Sequence, residues 1–461
     1  MPHLTMSVVY GFTCDDSRRE AIRQNLTAGL QKTYEKLPFL AGDVLRQTRD
    51  VEANGWRPGG LRLHAANDLA DIDMEVKDLT SGWEHTYSDL QAQGMPMSML
   101  DPANFIPGGS YDATESTKFF RGRVTFIPGG CFVAASSNHA YVDAWGFSIL
   151  MKMWADEARA LQDPSFTPLE MPVFEPSALP AALAESRSFQ DYQSLKHKPE
   201  SWKLLGLDWR KLTETRELAI PYASIPQINT SIFVFSSESQ ERVHEDGTPD
   251  EDDFQDEDAV WVSPNDALVA LLWRCIMKAR APSWMNKQHK RDSMVSVAIN
   301  GRRALYPPIP MDYIGNVVFC CLTELPIQQV IAPRTTLASL AVAVRRSVEK
   351  SLDTQILAQA VALSSCIPDV RALGNAFTGW FAEDLVTTSV VDLPSYRTSW
   401  GDLLGAPEFV RLPKGQFGGI CMLQPRRLDG SVEVFISLEE DEMRRLRADG
   451  QFNKYAQFVS S

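Results

Sequence analysis

The chain has 461 residues, 44% hydrophobic and 23% charged, more than one hydrophobic core usually supports, so two globular domains are expected and collagen-like, disordered or disulfide-dense classes are excluded. Its formal net charge is -14 and no Lys/Arg-rich run interrupts it, which excludes a nucleic-acid partner because a phosphate backbone demands a basic stripe. No apolar run approaches the roughly 18 residues that span a bilayer, and MPHLTMSVVYGFTCDD lacks a basic stretch followed by a long apolar one, so a soluble, cytoplasmic protein with no membrane partner is expected.

The N-terminal segment pairs an apolar run at 6–12, read as a strand, with a helical pattern in which Ile22, Leu26 and Leu30 recur every four residues. Pro38 and Gly42 in LPFLAGDVLRQ then punctuate entry into another strand. From Lys118, KFFRGRVTFIPGGCFVAASSNHA reads as two strands joined at Pro128-Gly129-Gly130, a hairpin. WGFSILMKMWADEARAL, after Asp143, has helical spacing and good helix formers. Five prolines between 164 and 180 end the first half, and a crossover linker is expected beyond them.

In the second half a strand is expected at 232–235. The acid-rich stretch 238–258, ESQERVHEDGTPDEDDFQDED, reads as a solvated loop. VSPNDALVALLWRCIMKAR opens a helix with Ser263 as N-cap and Pro264 at its first position. Strands at 294–299 and 317–322, a helix over 335–352, strands at 418–423 and 432–438, and a last helix over 439–459 complete the reading. The fold class is α/β or α+β. The expected division is 1–180, a linker at 181–225, and 226–461.

Candidate chemistry centres on SSNHAYVDAWGFS, in which His139 precedes Asp143 by four residues where a strand ends and a helix begins. Such junctions are where α/β proteins expose reactive groups. An imidazole is the side chain best suited to take and return a proton near neutral pH, given an orienting partner. Asp143 either holds the ring directly or anchors its loop through an arginine. The other histidines form no cluster with carboxylates, so no metal site is expected. No G-x-S-x-G is present, and the seven cysteines are scattered without a C-x-x-C pair, as expected of reduced thiols rather than nucleophiles or disulfides. A histidine base acting without a protein nucleophile is left.

HAYVDAWG at 139–146 resembles the HxxxD signature of the BAHD-type, coenzyme A-dependent acyltransferases, especially a fungal branch that includes trichothecene 3-O-acetyltransferase. LPFLAGDV, HKPESWKLLGLD, SPNDALVALLWR, INGRRALYPPIPMDYIGN and LLGAPEFVRLP resemble further family landmarks in the same order, covering nearly the whole chain. The resemblance implies two chloramphenicol-acetyltransferase-like domains with a central solvent channel, acyl-CoA (acetyl-CoA among the candidates) as co-substrate, a small-molecule acceptor and a monomer. It implies His139 as general base and Asp143 as its structural support, paired with an arginine for which Arg302 is the candidate.

The family's C-terminal DFGWG motif has its counterpart in TSWGDLLGAP. Trp400 and Gly401 take the FG positions, Gly405 the last glycine, and Ser399 stands where aspartate is expected. This landmark implies a donor-side loop. Ser399 leaves two alternatives beside acyl-CoA transfer to an alcohol or amine: a donor carried on a protein thioester, or a cyclase or isomerase on a polyketide or terpenoid intermediate. Tyr141, Trp145, Phe377, Trp380 and Phe381 are candidates for an acceptor pocket.

Overall fold

The computed structural model describes residues 5–46, 57–66, 74–108, 116–174, 191–208, 228–250, 261–284, 292–370, 373–376, 383–412 and 418–461. Two large sheets organise them. The first has the order Phe409–Arg411, Thr5–Thr13, Gly130–Asn138, Phe120–Ile127, Met74–Asp78. Its pairs are antiparallel except the last. The hairpin forms at the expected turn: Ile127 faces Gly130, and Gly129 between them has φ +77, where glycine escapes the Cβ penalty.

Alternation along the strands sorts this sheet's residues to two faces. Tyr10, Phe12, Val133 and Ala135 join one core with Leu26, Leu30 and Trp154 from the helices Arg19–Lys36 and Ala144–Ala160. Val9, Phe132 and Ala134 face the opposite way, against Tyr87, Leu90 and Phe105. The two helices meet at Gly29, where a Cβ would lie 2.9 Å from the Ala158 backbone.

The second sheet runs Val318–Pro326, Asp292–Asn300, Leu385–Ser389, Ile420–Leu423, Val432–Glu439, Ile228–Phe235, Gln457–Ser460. Helices Pro264–Trp284 and Leu337–Ser351 contribute Leu271, Trp273 and Leu340 to its core. The start expected at Ser263 forms a capping box: Asp266 N donates to Ser263 Oγ at 3.2 Å and Ser263 N to Asp266 Oδ2 at 2.9 Å.

The sheets are not built from separate halves of the chain. Phe409–Arg411, late in the sequence, adds to the first sheet by pairing with Thr5–Thr13. Arg411, 1% exposed, forms an ion pair at 2.7 Å with Glu433, 2% exposed, on the second sheet. Arg411 also donates to the carbonyls of Gly94 and Met95. A buried arginine is stable only with such saturation of its donors.

Two expected elements differ. The acidic stretch is helical over Ser237–Gly247, because Ser236 caps it and Ser239, Val243 and Gly247 bury one stripe while the carboxylates stay outside. Gly247 permits contact with Ala267, whose Cβ would lie 2.6 Å from an added Cβ. Residues 251–260 of that stretch lie outside the described residues. The last helix stops at Glu440–Arg447; Phe452–Lys454 is a 3₁₀ turn and Gln457–Ser460 pairs with Ile228–Phe235. Sheet pairing overrides the local helical pattern there.

Candidate active site

The strand Gly130–Asn138 delivers His139 to its end. Asn138 turns the chain: its Oδ1 accepts from Ala140 N at 3.0 Å and its carbonyl from Tyr141 N at 3.1 Å. Asp143 then caps the helix Ala144–Ala160, with Oδ1 accepting from Gly146 N at 2.8 Å. The histidine is thus fixed between a strand end and a capped helix start, both anchored in the first core.

Residues 311–317, from the INGRRALYPPIPMDYIGN stretch, close over this loop. Val142 bridges Gly315, and Trp145 Nε1 donates to the Met311 carbonyl at 2.7 Å. Gly146 lies so close that an added Cβ would sit 2.0 Å from the Ile314 carbonyl oxygen. Only glycine fits a backbone approach of that kind.

Arg302 meets Asp143 in a two-pronged pair, Nη1 to Oδ2 at 2.8 Å and Nη2 to Oδ1 at 3.0 Å. Asp143 Oδ2 also accepts from Val317 N at 2.9 Å. The guanidinium, 0% exposed, donates further to the carbonyls of Tyr313 and Gly315 and to Asn300 Oδ1. This bidentate geometry satisfies both buried charges, and it leaves Asp143 engaged with the arginine and two backbone amides.

His139 takes a different partner. Its Nδ1 lies 3.0 Å from the Val142 carbonyl, and a carbonyl can only accept, so the hydrogen sits on Nδ1 and the lone pair on Nε2. Burial pushes the imidazole's pKa below its ordinary 6.5, against the Val142 carbonyl and the Asp143 charge, which raise it. The ring is therefore a neutral base at neutral pH. Asn316 Nδ2 donates to the His139 carbonyl at 2.7 Å.

The TSWGDLLGAP segment is a tight loop. Gly401 and Gly405 have φ +85 and +71, Trp400 N donates to the Gly405 carbonyl and Gly405 N to the Gly401 carbonyl, both at 2.7 Å. Ser399 Oγ accepts from Gly401 N at 3.3 Å, so the hydroxyl serves a backbone amide inside the loop. Trp400 is 0% exposed. Its ring packs edge-on against Tyr10, Phe12 and Trp154, beneath the loop and away from open space. Gln162, which the sequence did not single out, ties the loop to the helix end: Nε2 donates to the Trp400 carbonyl at 2.9 Å and Oε1 accepts from Leu403 N at 2.8 Å.

Tyr141, half-buried, packs against Phe119, which itself meets Phe39 and Phe174. Trp145 is half-buried on the helix start. Phe377, Trp380 and Phe381 lie outside the described residues. All seven cysteines are free. Among the described residues no three His, Cys, Asp or Glu side chains converge as a metal would need, and no helix is long and apolar enough to cross a membrane.

Comparison with known proteins gives this geometry a family. The Transferase family profile matches residues 88–453, and a profile for the trichothecene 3-O-acetyltransferase-like N-terminal domain matches residues 4–157. Eremophilane O-acetyltransferase ORF8 of Penicillium roqueforti is 32% identical over 470 residues, covering 97% of this chain and 94% of that protein. Eremophilane O-acetyltransferase prx11 of Penicillium rubens is 32% identical over 468 residues, covering 96% and 94%. The crystal structure of F. graminearum TRI101 complexed with coenzyme A and deoxynivalenol superposes with a TM-score of 0.77 at 18% identity, covering 99% of this chain and 96% of that one. The fold is thus the mixed α/β, two-domain chloramphenicol-acetyltransferase-like one. The chain belongs to the Transferase family, as an acyl-CoA-dependent, BAHD-type acyltransferase of the fungal branch resembling trichothecene 3-O-acetyltransferase.

Proposed function

We propose that His139 is the general base of acyl transfer from acyl-CoA to a hydroxyl of a small specialised metabolite. The observation that carries this reading is the pinned tautomer: Nδ1–H is held by the Val142 carbonyl, which leaves Nε2 basic on a ring kept neutral by burial. Nε2 takes the acceptor's O–H proton as the oxygen attacks the thioester carbonyl. The C–S bond then breaks, the imidazolium returns the proton to the departing thiolate, and ester and free coenzyme A thiol leave. Asp143 and Arg302 act as positioning residues, because the carboxylate is saturated by the arginine and backbone amides and has no lone pair directed at the ring.

Two Penicillium relatives named O-acetyltransferases support a hydroxyl acceptor and acetyl-CoA as donor, over a carrier-bound donor or a cyclisation. The loop around Ser399, Gly401 and Gly405 is assigned to the donor side. Ser399 satisfies the Gly401 amide, a duty a hydroxyl performs as well as a carboxylate, so its neutrality does not disqualify coenzyme A. Trp400 supports that loop from the core. The working division is 1–180, linker 181–225 and 226–461, with Phe409–Arg411 exchanged into the first sheet, in a cytoplasmic monomer.

The test follows thiol release from acetyl-CoA and longer acyl-CoAs over a panel of alcohols and amines. Release that requires an alcohol, yields an ester by mass and vanishes in His139→Ala is expected. Release confined to amines, or absence of both release and coenzyme A binding, would overturn the assignment.

A further inference from the structure

Residues 313–317 hold the His139–Gly146 loop and Arg302, the partner of its Asp143, and four of the five do so through backbone. The Tyr313 and Gly315 carbonyls accept from Arg302, Ile314 lies against Gly146, and Val317 N donates to Asp143. Asn316 differs. Its side-chain amide, half-buried, reaches back to the histidine itself, with Nδ2 donating to the His139 carbonyl at 2.7 Å.

That carbonyl belongs to the peptide unit that joins the histidine to Ala140. The Asn138 side chain holds the amide of Ala140, and Val142 holds the ring at Nδ1. The Asn316 bond at the carbonyl and the Asn138 bond at the Ala140 amide together clamp the peptide plane between residues 139 and 140, and with it the frame from which the imidazole projects. A donor supplied by a chain segment about 177 positions away also makes base placement depend on the seating of residues 311–317. This arrangement is expected where reacting atoms must be held to a fraction of an ångström.

We propose that Asn316 is a positioning residue for the reaction, setting the orientation of the His139 base through the His139 backbone carbonyl. The inference rests on His139 being the base. Loop attachment survives without Asn316, because the Asp143–Arg302 pair and the Val142–Gly315 bridge remain. Its loss therefore lowers turnover without detaching the loop.

The experiment measures kcat and KM for both substrates in Asn316→Ser and Asn316→Asp, beside the wild type and His139→Ala, with each rate normalised to folded protein by circular dichroism. Serine is too short to reach the carbonyl. Aspartate keeps the shape but turns an acceptor toward an acceptor. The expected result is a fall in kcat of about 10- to 100-fold with both KM values within about twofold, larger for aspartate. Turnover abolished in His139→Ala but within twofold of wild type in both Asn316 variants would overturn the positioning role. Turnover that survives in His139→Ala would overturn the base assignment, and this proposal with it.

Discussion

Asp143→Ala separates positioning from chemistry. The substitution deletes a carboxylate that accepts from Arg302 twice, from Gly146 N and from Val317 N, and strands a guanidinium that is 0% exposed. Breaking a buried ion pair by removing one partner costs about 3–5 kcal/mol. Loss of the helix cap costs about 1 kcal/mol, part of which is the same carboxylate oxygen counted again. About 4 kcal/mol is therefore expected, against a total stability on the order of 5–15 kcal/mol. His139→Ala removes one hydrogen bond, to the Val142 carbonyl, worth about 1 kcal/mol. Urea titration followed by tryptophan fluorescence, together with specific activity, distinguishes the two. Asp143→Ala should show a much lower midpoint and reduced activity; His139→Ala should show a midpoint lowered by the equivalent of only about 1 kcal/mol and lose activity. Equal midpoints in the two variants would mean that the Asp143–Arg302 pair does not carry the stability assigned to it.

Gly146→Ala places a Cβ 2.0 Å from the Ile314 carbonyl oxygen, and since backbone lies on both sides the strain should cost about 3 kcal/mol or more; a urea midpoint unchanged from wild type would contradict the close approach. The acid limb of kcat/KM should have its inflection below pH 6.5, because burial lowers the His139 pKa from that value. The linked stability has the matching sign. Between the lowered folded pKa and 6.5 the unfolded chain binds more protons at this site, so this histidine's contribution falls as pH falls and levels off below the folded pKa. An inflection above 6.5 would mean that the imidazolium is stabilised by a carboxylate instead.

Much of the site was legible because its residues carry strong local signals. His139 and Asp143 stand at a strand-to-helix junction, and the Ser263 cap and the Pro128-Gly129 turn declare themselves by residue type and spacing. Arg302 was reachable only through the resemblance, since a contact across 159 positions leaves no periodic trace. Asn316 and Gln162 were missed for the same reason: each acts through long-range hydrogen bonds to backbone. Three-residue strands such as Phe409–Arg411 carry too short a pattern to be seen, so the exchange between sheets was invisible. The acidic helix Ser237–Gly247 was misread because net charge masks a stripe of only three buried positions. The tail was misread because Gln457–Ser460 takes its conformation from its partner strand.

The most direct test of the base assignment is a single-turnover reaction of preformed acetyl-CoA complex with the accepted alcohol, comparing wild type with His139→Ala at pH 7.5 and at pH 9.5. If His139 is the base, the rate in the variant falls about 10²- to 10⁴-fold at the lower pH. At pH 9.5 the variant recovers part of that loss as hydroxide replaces the missing base. An unchanged rate in folded His139→Ala at pH 7.5 would contradict the base assignment.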